Sequence, residues 1–324
     1  MKRLLITGGA GFIGSNFIRH ILDKYGDYRI VNLDKLTYCG NLENLKDLAR
    51  NRRYKFVKGD IADAKLTAGL VKDSDIVINF AAETHVDRSI KDPASFVKTN
   101  VFGTHVLLEA VKRFGAGLFI QISTDEVYGS ILDGAFKEDD PLRPNSPYSA
   151  TKAGADLLAR SYFVTYGLPV IITRSSNNFG PYQYPEKIIP FFITNILKKK
   201  KVPLYADGMN VRDWLFVIDN CEAIDAVMHK GKAGEVYNIG AGAQISNLEL
   251  TGMILGFLGK GEEMIKFVKD RPGHDKRYAL DITKIKGLGW RPRHDFKSAL
   301  KLTITWYREN ERWWGQLTEV KSQK

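Results

Sequence analysis

The stretch that most constrains this chain lies near its start. Leu4, Leu5 and Ile6 form an apolar run with strand character, and Gly8, Gly11 and Gly14 follow it, with Phe12 and Ile13 leading into a helical pattern that runs to about Lys24. Glycines allow a tight turn there and let backbone N–H groups and the positive end of a helix dipole approach a pyrophosphate. A glycine pattern by itself is common. One set between a strand and a helix is the context that a dinucleotide site requires.

The following residues extend that reading. A second strand, Arg29 to Leu33, ends in Asp34, about 20 residues beyond the glycine turn, where a carboxylate accepts hydrogen bonds from an adenosine ribose. A carboxylate there repels a 2′-phosphate, so NAD is expected rather than NADP, with Lys35 blurring the preference. A third strand, Tyr54 to Val57, leads to Asp60 and Ile61, and Asp60 is read as meeting the adenine amino group. A fourth, Asp75 to Phe80, ends in Ala81, Ala82 and Glu83, where small residues leave room for a cofactor edge. His85, just beyond, is read either as a satisfied polar residue or as a substrate contact.

A helix is expected from about Ala94 to Phe114, and then a buried strand, Leu118 to Ile122, that closes on Ser123, Thr124, Asp125 and Glu126. Neighbouring side chains of a strand point to opposite faces, so both acids reach one ligand only if the backbone turns there. Two acids at a strand's carboxyl end do not serve packing. Tyr148 and Lys152 stand one helical turn apart at the start of a helix reaching about Tyr166, which puts a phenol and an ammonium on one face. A sixth strand spans Pro169 to Thr173. Strand and helix alternate throughout, which predicts an α/β fold of Rossmann type, a doubly wound parallel sheet with ligands at the carboxyl ends of its strands.

From about Asn177 the alternation becomes irregular. Residues 1–176 are therefore read as an NAD-binding domain and 177–324 mainly as a smaller substrate-binding lobe, with Trp214 to Val217 and Glu235 to Ile239 read as segments returning to the main sheet. The last helix is expected from about Lys297, carrying Trp306, Trp313 and Trp314.

Composition bounds the function. The chain of 324 residues carries a net charge of +11, but its basic residues are dispersed and lack interleaved aromatics, so a surface attracting phosphate-bearing small molecules is favoured over a nucleic-acid partner. Cys39 and Cys221 form no framework, the first strand is not preceded by a signal-peptide core, and no apolar stretch is long enough to span a bilayer. No metal-ligand cluster stands out. A cytoplasmic setting without membrane association is expected.

With these residues in view, the sequence resembles the extended short-chain dehydrogenase/reductase family, and within it the dTDP-glucose 4,6-dehydratases. The glycine turn and Tyr148 with Lys152 are its generic signals. The segments Asp34 to Tyr38, Ala81 to Ser89, Ser123 to Gly129, Asn177 with Asn178, and Asp270 to Asp275 are its specific ones. The likeness covers essentially the whole chain, with Thr84 and Cys39 as small departures where Ser and Ala are usual. It implies a homodimer, through the two long helices, and a product that serves deoxysugar synthesis. It further implies that NAD is lined by Phe12, Ile13, Asp34, Lys35, Leu36, Thr37, Asp60, Ile61, Ala81 to Glu83, Thr99, Tyr148, Lys152 and Asn178. The nucleotide-sugar would be lined by His85, Thr124, Asn177, Lys187, Ile188, Ile189, Pro190, Pro203, Leu204, Tyr205, Arg212, Asn247, Asp270, Arg271 and His274. Arg212 and Arg271 are the expected diphosphate partners, because guanidinium groups bind phosphate in forked pairs.

The chemistry so implied removes water across C5 and C6 of glucose after a temporary oxidation at C4. Tyr148 is the expected base for the C4 hydroxyl, and Lys152 is expected to favour its phenolate. Glu126 is expected to take the C5 proton as general base and Asp125 to protonate the departing C6 hydroxyl as general acid. Thr124 would bind the sugar near O4. Two rivals share parts of this site. A 4-epimerase or a decarboxylase of nucleotide-sugars needs no acid pair, and a non-catalytic NAD- or RNA-binding relative would not need Tyr148 and Lys152 together.

Overall fold

The computed structural model describes residues 1–270 and 275–319. Strands β1 (Lys2–Thr7), β2 (Tyr28–Asp34), β3 (Tyr54–Lys58), β4 (Ile76–Asn79), β5 (Leu118–Thr124) and β6 (Val170–Ser175) come first. They are followed by β7 (Asn177–Phe179), β8 (Val202–Tyr205), β9 (Val211–Phe216), β10 (Val236–Ile239), β11 (Gln244–Ser246) and β12 (Ile265–Val268). The main sheet is parallel, in the order β10-β6-β5-β4-β1-β2-β3. The chain changes winding direction between β1 and β4, and open sheets of this kind form their ligand crevice at such a point.

Both faces of that sheet are covered, which is why its strands read as unbroken apolar runs. Leu4, Ile6, Ile76, Ile78 and Ile120 pack on one face with Phe17 and Ile18 of α1 (Phe12–Lys24). Leu5, Val77 and Phe119, of opposite parity, pack on the other with Leu107 and Val111. Helices α2 (Ala64–Lys72), α3 (Val86–Lys91), α4 (Pro93–Phe96), α5 (Thr104–Phe114) and α6 (Pro147–Tyr166) follow in turn. A separate core, with Phe192, Leu204, Trp214, Leu250 and Tyr307, holds together α7 (Ile188–Leu197), the three-stranded β11-β9-β7 sheet and the β12-β8 pair.

Three features differ from the sequence reading. The helix expected from Ala94 to Phe114 contains a π-helical stretch, Val97–Gly103, between α4 and α5. Trp214 to Phe216 do not return to the main sheet. They belong to β9, which pairs with β7 and β11, and Val217 opens α8 (Val217–Lys230), packed against α1. The segment ending at Ile239 does join the main sheet, as β10 beside β6. After α9 (Asn247–Phe257) and α10 (Thr283–Lys286), the last helix is two, α11 (Phe296–Glu309) and α12 (Glu311–Glu319). Asn310 separates them, its side-chain amide donating to the Trp306 carbonyl, a side-chain bond that competes with helix continuation.

Among the described residues, no helix is long and apolar enough to cross a membrane, and no group of His, Cys, Asp and Glu is arranged to hold a metal ion.

Candidate active site

The glycine turn is shaped by close backbone approach. Gly8 has φ +70°, and a Cβ on it would lie 2.6 Å from the Ala81 nitrogen at the end of β4. A Cβ on Gly14 would lie 2.6 Å from the Gly8 carbonyl oxygen. Only glycine fits either place. Asp34, buried at the end of β2, fastens this turn: Oδ2 accepts from Ala10 N at 2.9 Å and Oδ1 from Leu36 N at 2.8 Å. Burial raises its pKa above the ordinary value, against the pull of those two N–H groups. Asp60 pairs with Lys35 at 2.8 Å; burial would raise its carboxyl, but the ammonium and the Ala62 N–H outweigh burial and hold it low.

The backbone does turn after β5. Asp125–Tyr128 form a 3₁₀ turn, and Thr124 caps it by accepting from Glu126 N at 3.3 Å. Asp125 and Glu126 thereby line one cavity. Asp125 is 2% exposed, and its Oδ2 has no hydrogen-bond partner among the described residues. Burial, and then the charges of Glu126 and Asp213, push its pKa well above the ordinary carboxylate value, which favours the protonated form.

Tyr148 follows the Ser146 capping box that starts α6. Burial, then Glu126, pushes its phenol upward, while the Thr84 and Thr124 hydroxyls pull the other way. Lys152 is buried on the same helix. Its Nζ donates to the Ile122 carbonyl at 2.5 Å, and burial draws its pKa down to about 8. The ammonium is thus engaged by the end of β5, one helical turn from Tyr148.

One cavity of about 310 Å³ joins these parts. Its walls include Gly8, Gly11, Phe12, Ile13, Gly14, Asp34, Lys35 and Thr37 at one end, and Tyr148, Lys152, Asn177, Asn178, Lys187 and Ile188 at the other. Asp60, Ile61, Ala81, Ala82, Glu83, Thr99 and Thr124 also face it. The cradle fits NAD on two grounds of geometry. The glycine turn leaves no room for side chains, and Asn177 Oδ1, Asn178 Oδ1 and Asp125 Oδ2 are buried along the wall without protein partners among the described residues.

Other expected site residues lie elsewhere. Leu36 has φ +57° and contributes its N–H to Asp34. His85 caps α3 at φ +80°, and burial, then Lys187, lowers its pKa to about 4, so the imidazole is neutral. Ile189 and Leu204 are in the core of the second lobe, and Pro190 is buried beside them. Pro203 and Tyr205 lie on β8 and Asn247 opens α9, all outside the cavity wall. Arg212 is 6% exposed and donates to the Val211, Asp275 and Lys276 carbonyls while its guanidinium lies 4.5 Å from the centre of the Tyr278 ring. Asp270 is described but is not part of the wall; Arg271 and His274 lie outside the described residues.

Sequence reasoning missed several contributors. Asn100, in the π-helical stretch, accepts from Glu83 N at 2.8 Å and donates to Glu83 O and Thr151 Oγ1, fixing the segment after β4 against α6. Gln183, Tyr184 and Glu186, none of them singled out as site residues, line the cavity from the loop between β7 and α7. Asp213, buried on β9, adds to the field that favours the protonated form of Asp125.

Residues 5–303 match the family model described as GDP-mannose 4,6 dehydratase. The low-salt glycan biosynthesis protein Agl12 of Haloferax volcanii is 55% identical over 304 residues, covering 94% of this chain and 98% of its own. The dTDP-glucose 4,6-dehydratase of Streptomyces antibioticus is 53% identical over 97% of this chain and 95% of its own. The crystal structure of DesIV, the dTDP-glucose 4,6-dehydratase of Streptomyces venezuelae, has NAD bound; it superposes with a TM-score of 0.95 at 50% identity, covering 97% of this chain and 99% of that one.

Proposed function

This chain belongs to the GDP-mannose 4,6-dehydratase family, and from that premise we propose that it is a dTDP-glucose 4,6-dehydratase, a hydro-lyase that converts dTDP-glucose to dTDP-4-keto-6-deoxyglucose and water. The observation that carries the reading is the pair Asp125 and Glu126 on one turn, with Asp125 buried and its Oδ2 without a hydrogen-bond partner among the described residues.

Phe12, Ile13, Asp34 to Thr37, Asp60, Ile61, Thr99 and Asn178 hold NAD against Tyr148 and Lys152. NAD held there would supply a hydride acceptor for the oxidation at C4 and a hydride donor for the return to C6, so no net reductant would be consumed. Tyr148 removes the C4 hydroxyl proton. Its pKa stands above the ordinary phenol value here, so its base form would need nearby positive charge, which Lys152 and the oxidised cofactor would supply, and Lys152 would also orient the nicotinamide ribose. The ketone acidifies the C5 proton, which Glu126 removes. Asp125, in its protonated form, delivers its proton to the leaving C6 hydroxyl. Two adjacent carboxyls favour opposite protonation states, because each anion raises the other's pKa. Thr124 binds the sugar near O4, and Asn177 and Lys187 line its path.

The named relatives favour thymidine over uridine. A homodimer is part of the proposal: Val97, Phe102, Leu157 and Val164 are exposed apolar side chains on the two helical segments expected to pair. The experiment is incubation with dTDP-glucose deuterated at C4. The 4-keto-6-deoxy product should form, detected by its ultraviolet absorbance in alkali, with deuterium in the new methyl group. A galactose epimer, or label lost to water, would overturn the reading.

A further inference from the structure

Glu186 touches two elements across the cleft, and neither contact is needed for the chemistry above. It lies in the second lobe, just before Lys187 and the start of α7, and it lines the cavity. Its side chain is 7% exposed. The Tyr38 hydroxyl, on the segment following β2, donates to Glu186 Oε1 at 2.7 Å and lies 3.2 Å from the Thr84 carbonyl. Arg88 of α3 donates from Nε to Glu186 Oε2 at 3.3 Å, and its guanidinium sits 3.5 Å from the centre of the Tyr38 ring. Tyr184 packs edge-on against Tyr38, with ring centres 5.6 Å apart.

We propose that Glu186, Tyr38 and Arg88 form a clasp that retains NAD between turnovers, with Glu186 as a positioning residue. The proposal rests on the dehydratase reading, in which the cofactor must keep the electrons it has borrowed until the elimination is over. A cofactor lost at that stage would strand a 4-keto intermediate on an enzyme with no hydride to return.

The clasp is placed for this. Tyr38 is flanked by Thr37 and Cys39, both in the cavity wall, and lies four residues beyond Asp34, the carboxylate that fastens the glycine turn. Thr84, whose carbonyl Tyr38 also approaches, faces the cavity after β4. Glu186 thus ties the second lobe to both strand-end segments that flank the cofactor cradle. Separating them removes the Tyr38 hydroxyl from a Glu186 carboxylate that is largely buried, where a charge-assisted bond is stronger than in water, while the Arg88 contact, on a side chain 40% exposed, adds less. Burial, then Cys39 and Glu186, pushes the Tyr38 phenol far above its ordinary range, so it remains a donor at any working pH.

The test uses the holoprotein and measures escape of NAD. Radiolabelled NAD is bound, unlabelled NAD is added in excess, and retained label is followed by rapid gel filtration. Glu186→Ala should release label on the order of tenfold faster or more, the loss expected for a hydrogen bond to a charged group. Glu186→Gln, which keeps an acceptor for Tyr38, should fall between Ala and the native protein. Tyr38→Phe, which removes one oxygen, should also speed release, and it keeps the test decisive if Glu186→Ala does not fold. Turnover of these variants should decline after dilution and recover when NAD is added. Native release rates in Tyr38→Phe and in whichever Glu186 variant folds would overturn the clasp, as would a lost turnover that NAD does not restore. A protein that never dehydrates dTDP-glucose, yet releases NAD faster when the clasp is cut, would sink the reaction assignment and leave the clasp standing.

Discussion

In the main sheet, β1, β2, β4 and β5 run parallel, and each delivers its polar residues to the cleft from its carboxyl end: the glycine turn, Asp34, the segment from Ala81 to Thr84, and Thr124 to Glu126. In the second lobe the pattern is different. Its strands pair as two and as three, and its cavity-facing residues arrive from the ends of short strands and from the loop before α7. The sheet half fixes positions by register, because a one-residue slip would turn every buried side chain to the wrong face. The second lobe fixes them by contacts that cross the cleft, such as that of Glu186 with Tyr38. On the proposed reading, the chemistry that needs exact placement is on the first and the groups that meet the nucleotide-sugar are on the second.

The sharpest way to break this comparison is to remove the chemistry without touching the scaffold. Asp125→Asn with Glu126→Gln should cut dehydration by about 10²- to 10⁴-fold, the usual contribution of general acid–base groups. NAD binding and C4 oxidation should persist, read as NADH absorbance appearing on addition of dTDP-glucose. Full dehydration by the double variant would mean that the groups expelling hydroxide come from the second lobe instead.

A pair of core substitutions compares the halves directly. Ile78 and Leu204 are both essentially buried, one beneath the glycine turn's sheet and one in the second lobe. Either change to Ala should cost about 2–5 kcal/mol, as large-to-small core substitutions do, measured by denaturant unfolding. Ile78→Ala should weaken NAD binding. Leu204→Ala should raise the KM for the nucleotide-sugar more than the Kd for NAD. Equal loss of both ligands in both variants would show that the lobes respond as one body.

How far the sequence carried follows the same division. The strand-end residues were legible because short unbroken apolar runs locate buried strands, and a glycine turn or an acid pair just past an apolar run has few structural uses. The second lobe was not legible in this way. Arg212, expected on a diphosphate, donates to three backbone carbonyls, and Leu204 and Ile189, expected on the ligand, are core. Residue type and spacing do not say which carbonyls a guanidinium will meet after the chain folds back. Asn100 escaped notice because the π-helical stretch around it keeps a helical composition, and the turn shows only in its hydrogen bonds to Glu83. Asp213 escaped because one acid in the aromatic run of β9 looks like any strand residue.

Two buried cations make the finest version of the comparison. Lys152, in the sheet half, has its pKa drawn down to about 8 by burial, against about 10.4 for an unfolded lysine. Below pH 8 both states carry the proton, and the folded state bears a constant penalty. Between pH 8 and about 10.4 the unfolded chain binds more protons than the folded one, so stability rises with pH. Lys152→Met removes that slope. Melting curves of the NAD-free proteins should show native minus variant stability growing by about 1 kcal/mol or more from pH 8 to 10. Arg212→Met in the second lobe should show no such growth, because a guanidinium does not deprotonate in that window. If the Lys152→Met difference were also flat, the ammonium would be better solvated than its place between α6 and the Ile122 carbonyl implies, and the sheet half would lose its claim to the more tightly controlled environment.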